Sequence, residues 1–228
     1  MAGKRKEHGF TEQEVLRLAR SAYSENPSFT LDPEKTVLLV IDMQDEFVKP
    51  HWTPFWVPQA TRIVKRVRLL IDHCRRSKIP VIFTAYARTH SHLDRPKTGA
   101  LMPNRYTGKV RDDPSYFRDG KIWHELSARD DEIVILKPSY GAFFDTPLES
   151  ILKNLERDTV VICGTLTNFC CGTTARQAYE RGFIVVVGSD VTATDDPDLQ
   201  KAELKTLRKG FAMVVTSSQI ISKLTGNS

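Results

Sequence analysis

The sequence has no apolar run near the ~20 residues that a bilayer crossing needs, and no apolar stretch follows the positive charges of MAGKRKEHGF. Neither a membrane span nor a secretory signal is expected. Cysteine is sparse: four in 228 residues, at 74, 163, 170 and 171, with no CxxC spacing. Adjacent Cys170 and Cys171 cannot readily pair with each other. A disulfide framework is thereby excluded, and free thiols in a reducing cytoplasm are expected. Neither sign of charge dominates. The 33 Lys and Arg against 28 Asp and Glu leave +5, too little to argue for nucleic acid. There is no internal repeat, low-complexity tract or linker.

What remains is an ordinary globular composition, 40% hydrophobic and 27% charged, with chain enough for a sizeable core. At ~150 residues per domain the length allows one large domain or two small ones. Residues 1–33 are expected to form a tail, a helix and an extended arm. The basic first eight residues are expected to be disordered. A helix is expected over 11–24, opened by a capping box of Thr11 and Glu14 and carrying Val15, Leu16, Leu18 and Ala19. The arm is 25–34, with two prolines.

From residue 36 short, β-branched apolar runs recur at 36–42, 81–86, 132–137, 159–165, 183–190 and 211–217. They are continuous rather than alternating, as strands covered on both faces should be. Helical patterns lie at 59–76, 121–128, 147–155, 169–181, 197–209 and 217–225. In 59–76 the apolar set is Ile63, Val67, Leu70, Ile71 and Cys74. Strand–helix alternation of this kind implies right-handed crossovers and one parallel sheet, an α/β fold over 34–228. The irregular stretch 87–120 is long enough to serve as a lid.

In such sheets ligands bind outside the carboxyl ends of the strands. The first strand ends in Asp42, the third in Lys137, and the fourth in Gly164-Thr165 with Cys170 shortly beyond. An acid beside a thiol can act as its base. A nearby ammonium and a helix N-terminus both favour the thiolate. Cys171, Ala175, Ala178 and Gly182 form a small-residue stripe suited to packing on the sheet. Cys170 lies about 100° away around the helix and is the cysteine expected to face the strand ends. Cys163 and Cys74 are expected to be structural.

Three segments carry a resemblance: VLLVIDMQDEF (37–47), ILKPSYGAFFDTPLESIL (135–152) and ICGTLTNFCCGTTARQAYERGFIVVVGSDVTAT (162–194). In that order they resemble the isochorismatase-like cysteine hydrolases. These include nicotinamidases, N-carbamoylsarcosine amidases, ureidoacrylate and biuret hydrolases, and maleamate amidases. The resemblance covers about 34–220. It implies a single three-layer domain, with a six-stranded parallel sheet between helices and a catalytic triad of Asp42, Lys137 and Cys170. It also implies a non-proline cis peptide joining Thr165 to Leu166, and an oxyanion hole from the N–H groups of Leu166 and Cys170. The implied reaction is hydrolysis of an amide or ureido C–N bond through a Cys170 thioester, with no cofactor. The alternatives are acid-catalysed vinyl ether cleavage, whose enzymes lack the cysteine, and a non-enzymatic binding or thiol redox-sensing member.

Nicotinamidases carry an Asp-Trp-His metal motif just after the second strand. Here Tyr86 and Arg88 stand in that stretch, so neither a metal nor nicotinamide is expected. His90 and His92 have no third ligand in evidence. The segment 88–111 holds Arg88, Arg95, Lys97, Arg105, Lys109 and Arg111 against Asp94, which suggests a small anionic substrate. Phe47, Trp52, Tyr86, Arg88, Phe143 and Asn168 are the pocket candidates. For Phe47 and Phe143 core packing is the competing reading. The cluster Trp52, Phe55 and Trp56 reads equally as a pocket wall or a subunit contact. A small-molecule partner is expected, with no nucleic acid and no membrane, in a homo-oligomer (dimer or tetramer) helped by the N-terminal arm.

Overall fold

The computed structural model describes residues 9–21, 29–96 and 115–226, His92 without its side chain. The order is α1 (Glu12–Ser21), β1 (Thr36–Ile41), α2 (Asp45–Val48), α3 (Pro58–Arg76), β2 (Val81–Tyr86), β3 (Ile133–Lys137), α4 (Leu148–Asn154), β4 (Thr159–Thr165), α5 (Gly172–Glu180), β5 (Ile184–Ala193), α6 (Pro197–Gly210), β6 (Met213–Val215) and α7 (Ser217–Leu224). The tail 1–8 and the arm residues 25–28 lie outside the described residues, as do Lys97, Arg105, Lys109 and Arg111.

The six strands form one parallel sheet in the order β3-β2-β1-β4-β5-β6. Alternate residues of β1 point to opposite cores. Leu38 and Val40 pack with Ile63, Val67 and Ile220 from α3 and α7. Val37, Leu39 and Ile41 pack with Leu148, Ala175 and Leu207 from α4, α5 and α6. Two apolar layers on one sheet explain why β1 and β4 read as unbroken hydrophobic runs.

Three elements depart from expectation for identifiable reasons. β3 is an edge strand, so Val134 and Leu136 are about two-fifths exposed instead of covered. The helix expected over 121–128 shrinks to a single 3-10 turn at His124–Leu126. Its first residues instead pair with the segment after β1: Asp45 N–H donates to Lys121 O at 2.9 Å and Trp123 N–H to Met43 O at 2.8 Å. β5 runs three residues further than expected, to Ala193. A register shift between Ile162 and Gly164 brings Thr192 and Ala193 opposite Gly164 and Thr165.

The described end of the arm packs on its own domain. Leu31 is buried in the α3 core, and Lys223 Nζ donates to Phe29 O at 3.0 Å. No residue of α1 is buried. Among the described residues no helix is long and apolar enough to cross a membrane.

Candidate active site

The chain leaves β1 and β4 in opposite lateral directions, and the crevice between their carboxyl ends is where an open α/β sheet holds its ligand. Asp42 follows β1 directly, with φ of +48°. Its N–H donates to Thr84 O at 3.0 Å, and its Oδ1 accepts Thr84 Oγ1 at 2.8 Å. Oδ2 carries an ion pair with Lys137 Nζ at 2.7 Å, both side chains being fully buried. Lys137 ends β3 and reaches past the intervening β2 to meet Asp42. Its Nζ also donates to Ser139 O at 2.9 Å.

Cys170 lies in a π turn, Thr167–Cys171, that leads into α5. Gly164 makes the close approach of β4 to β1 possible. Its φ is +120°, and a Cβ there would strike the Ile41 carbonyl. The Thr165–Leu166 peptide is cis, as the resemblance implied. The Cys170 thiol lies close enough to the Asp42 carboxylate, the Lys137 ammonium and the Leu166 N–H for all three to act on it electrostatically. The Cys170 carbonyl accepts Thr174 Oγ1 at 2.7 Å, and that hydroxyl accepts the Ala142 N–H at 3.0 Å. The loop after β3 is thereby tied to the start of the helix.

Burial pushes the Cys170 thiol up to about 12, and the Asp42 carboxylate adds to the rise. The Lys137 ammonium and the Leu166 N–H offset only part of it. The thiolate expected from the ammonium and the helix start is therefore not the resting form: desolvation outweighs both. Burial alone would pull Lys137 down, but the Asp42 and Cys170 charges hold it above the usual lysine value. At rest the site is a thiol beside a carboxylate–ammonium pair. Attack by sulfur must be coupled to proton removal, and the Asp42 carboxylate is the base beside the thiol.

Cys171, Ala175 and Ala178 are all buried against the sheet, while Gly182 lies past the helix end in a turn with φ of +84°. Cys163 is inside β4, its thiol 3.7 Å from Leu39 O, and Cys74 is on the apolar side of α3. Among the pocket candidates, Tyr86 stands beside the triad, its ring centroid 5.8 Å from Lys137 Nζ. Asn168 is the second residue of the π turn and accepts Thr194 Oγ1 at 2.5 Å. Arg88 is half-buried at the head of the loop after β2, its N–H donating to Phe117 O at 2.9 Å.

The remaining aromatics go elsewhere. Phe47 packs on Phe117 with ring centroids 5.4 Å apart, in the α3 core. Phe143 sits against Phe183 (5.7 Å) and under the Arg181 guanidinium (5.1 Å), at the far end of α5 from Cys170. Trp52 faces Tyr116 at 6.1 Å and lines a separate mixed-charge hollow with Glu46, Lys49 and Arg118. His90 is exposed and pairs with Asp94 at 2.9 Å, and the His92 side chain is outside the described residues. Among the described residues no group of three His, Cys, Asp or Glu side chains could hold a metal.

Sequence reasoning missed four residues around the site. Thr84 anchors Asp42, and Gln44 joins the β1 end to Tyr86. Tyr140 and Phe169 form an exposed aromatic pair with centroids 5.3 Å apart, one residue before Cys170 on one side. Thr84 shows only as a hydroxyl in an otherwise apolar strand. That signal was available, because a buried hydroxyl must find a partner.

Residues 36–219 match the Isochorismatase domain family. The chain is 35% identical over 201 residues to Nicotinamidase 3 of Arabidopsis thaliana, covering 86% of this chain and 93% of that protein. The structure is similar to a cysteine hydrolase of Pseudomonas syringae pv. phaseolicola 1448A, with TM-score 0.78 and 25% identity over 90% of this chain and 99% of that one. It is also similar to N-carbamoylsarcosine amidase from Thermoplasma acidophilum, with TM-score 0.63 and 27% identity over 80% of this chain and 96% of that one. With its parallel sheet in place and the acid, lysine and cysteine gathered at the strand ends, the chain belongs to the isochorismatase family and is a hydrolytic enzyme.

Proposed function

We propose that the protein hydrolyses a non-peptide C–N bond, in a small amide or ureide, by nucleophilic catalysis at Cys170. The observation that carries this reading is the buried Asp42–Lys137 ion pair at 2.7 Å with the buried Cys170 thiol beside it. As the sulfur attacks the carbonyl carbon, its proton passes to the Asp42 carboxylate. Lys137 keeps the combined negative charge of carboxylate and sulfur compensated in a site closed to water. The Leu166 N–H, close to the sulfur in the free protein, is placed to donate to the carbonyl oxygen as it becomes an oxyanion, together with the Cys170 N–H. Asp42 then gives its proton to the leaving nitrogen, and ammonia or an amine departs. The Cys170 thioester remains until Asp42 takes a proton from water as it attacks the acyl carbon; the C–S bond then breaks, the acid leaves, and Asp42 returns the proton to the sulfur.

The cysteine supports this reading over vinyl ether cleavage, which needs no nucleophile. A redox-sensing role is disfavoured by the resting state, since a buried thiol held protonated is a slow target for oxidants. The name of the plant relative favours nicotinamide as one substrate to test. Tyr86 and Arg88 in place of the Asp-Trp-His motif favour other amides. The protein acts in this reading without a metal, in the cytoplasm, as a homo-oligomer in which α1 supplies a contact. Val15, Leu16 and Leu18 of α1 are about half exposed.

The test is ammonia release from a panel of monoamides, ureides and nicotinamide, with mass spectrometry of the quenched enzyme. The expected result is turnover of at least one amide and an acyl adduct on the Cys170 peptide. Rapid alkylation of Cys170 in a protein that turns over none of the panel would favour the thiol-sensing alternative.

A further inference from the structure

Tyr86 is the last residue of β2 and borders the reaction centre. Its ring stands edge-on to Phe117, with centroids 5.1 Å apart and planes at 73°. Its backbone is clamped by one side chain: Gln44 Oε1 accepts its N–H at 2.9 Å, and Gln44 Nε2 donates to its carbonyl at 3.1 Å. The hydroxyl so positioned is shut off from solvent and has no hydrogen-bond partner among the described residues. Buried phenols normally find one. Beside a nucleophile, an orphan hydroxyl marks a position for a group that the described residues do not supply.

The place of that hydroxyl follows from its neighbours. Lys137 Nζ lies 5.8 Å from the ring centroid, and Arg95, Tyr140 and Cys170 are also near enough to act on the hydroxyl electrostatically, which puts it at the edge of the space around the thiol. Burial holds its pKa above the usual tyrosine value against the pull of Arg95 and Lys137, and it stays a proton donor.

The second observation is Arg95, on the loop after β2. Its guanidinium lies 5.2 Å from the centroid of the Tyr86 ring. A guanidinium held over a ring still has N–H groups to offer an anion, in the fork that fits a carboxylate. The neighbouring acid, Asp94, is turned to His90 Nδ1 at 2.9 Å.

We propose that Tyr86 and Arg95 form a carboxylate-binding subsite beside Cys170, so that the preferred substrate is the monoamide or ureide of a small carboxylic acid. The carboxylate would take the Tyr86 O–H and the Arg95 N–H groups while the amide carbonyl lies over the sulfur. The hydrolytic half of this statement rests on the function proposed above; the anion subsite stands on its own geometry.

The experiment uses the full chain carrying Cys170→Ala and measures binding of succinate and of neutral succinamide by calorimetry. Succinate should bind at least about tenfold tighter, as expected of a charge-assisted hydrogen bond. Tyr86→Phe, which keeps the ring on Phe117, and Arg95→Gln should each remove most of that advantage. Arg95→Lys should restore only part of it, because an ammonium lacks the fork. Melting temperatures confirm that each variant is folded. The subsite is overturned if succinate binds no tighter than succinamide or nicotinamide, or if both variants leave the succinate affinity unchanged. If succinate binding depends on Tyr86 and Arg95 but the unaltered protein releases no ammonia from succinamate, the subsite stands and the hydrolytic reading falls.

Discussion

Two short helices of this molecule, α1 and α5, are built on opposite principles. α1 has ten residues, a closed capping box between Thr11 and Glu14, acidic residues in its first turn and a basic one in its last. It buries nothing. α5 has nine residues, no side-chain cap and no acid in its first turn, yet Gly172, Thr174, Ala175 and Ala178 are all buried. An isolated helix of about ten residues is marginal in water whatever its caps. The first helix carries its instructions locally and lacks the packing that would hold it. The second has weak local instructions and is held by the sheet and by the Cys170–Thr174–Ala142 chain of hydrogen bonds. Cys170, the proposed nucleophile, lies in the turn that leads into the helix whose position is fixed by the rest of the fold.

The sharpest way to break this contrast is at the nucleophile. Cys170→Ala should lower ammonia release by about a thousandfold or more, as loss of a nucleophile does elsewhere. Cys171→Ala, one residue along the same turn, should stay within tenfold. An acyl adduct mapped to Cys171 would reverse the assignment.

The next effect is on stability. Lys137→Met leaves the Asp42 carboxylate buried and unpaired, which should cost about 3–5 kcal/mol, read as a lowered denaturation midpoint. Adding Asp42→Asn should recover part of the loss, and a single variant as stable as the parent would show that the pair is not held as described. The same pair has an alkaline limit. Lys137 titrates above the ordinary lysine value in the fold, so its contribution is complete below the unfolded lysine pKa and is lost as pH rises through the folded one. Denaturation midpoints should therefore fall only on the alkaline side of that unfolded value.

A subtler outcome concerns the resting thiol. With Cys170 pushed up to about 12, inactivation by iodoacetamide should climb about tenfold per pH unit from pH 7 to 10, following the thiolate fraction. A plateau near neutrality would mean a preformed thiolate and a different division of labour with Asp42.

The smallest effects belong to α1. Thr11→Ala should weaken the helix by about 1 kcal/mol and leave the melting temperature of the sheet unchanged. A chain starting at Glu34 loses the Phe29 and Leu31 contacts and should melt slightly lower. Its sedimentation decides whether α1 holds copies together.

Much of the frame was legible because its causes are local. The strands at 81–86 and 159–165 were bounded correctly because runs covered on both faces stay free of charged residues. The helix 59–76 was one residue short, Pro58 being its first residue. The places of Asp42 and Lys137 were legible as strand ends, since the topology of a parallel sheet fixes where its strands finish. What could not be read was settled by partners distant in sequence. The 121–128 segment gave up a helix to pair with residues 43–45. Phe143 sits six residues past Lys137, yet its loop turns it toward Gln177 and Arg181. The protonation state of Cys170 depends on how completely the fold removes water, which no spacing of residues records.

Gln44 has a consequence beyond its two hydrogen bonds. A primary amide presents the same donor and acceptor as a peptide unit, and this one matches both groups of Tyr86. It adds one more rung to the β1–β2 ladder after the main chains have begun to separate. Glutamate could accept the Tyr86 N–H but would set a second acceptor against the Tyr86 carbonyl, and no shorter side chain spans the gap. Asp42, two residues before Gln44, and Tyr86 are therefore members of one stiff frame, joined along the chain on one side and across the rung on the other. Loosening that rung would change substrate discrimination and proton transfer together.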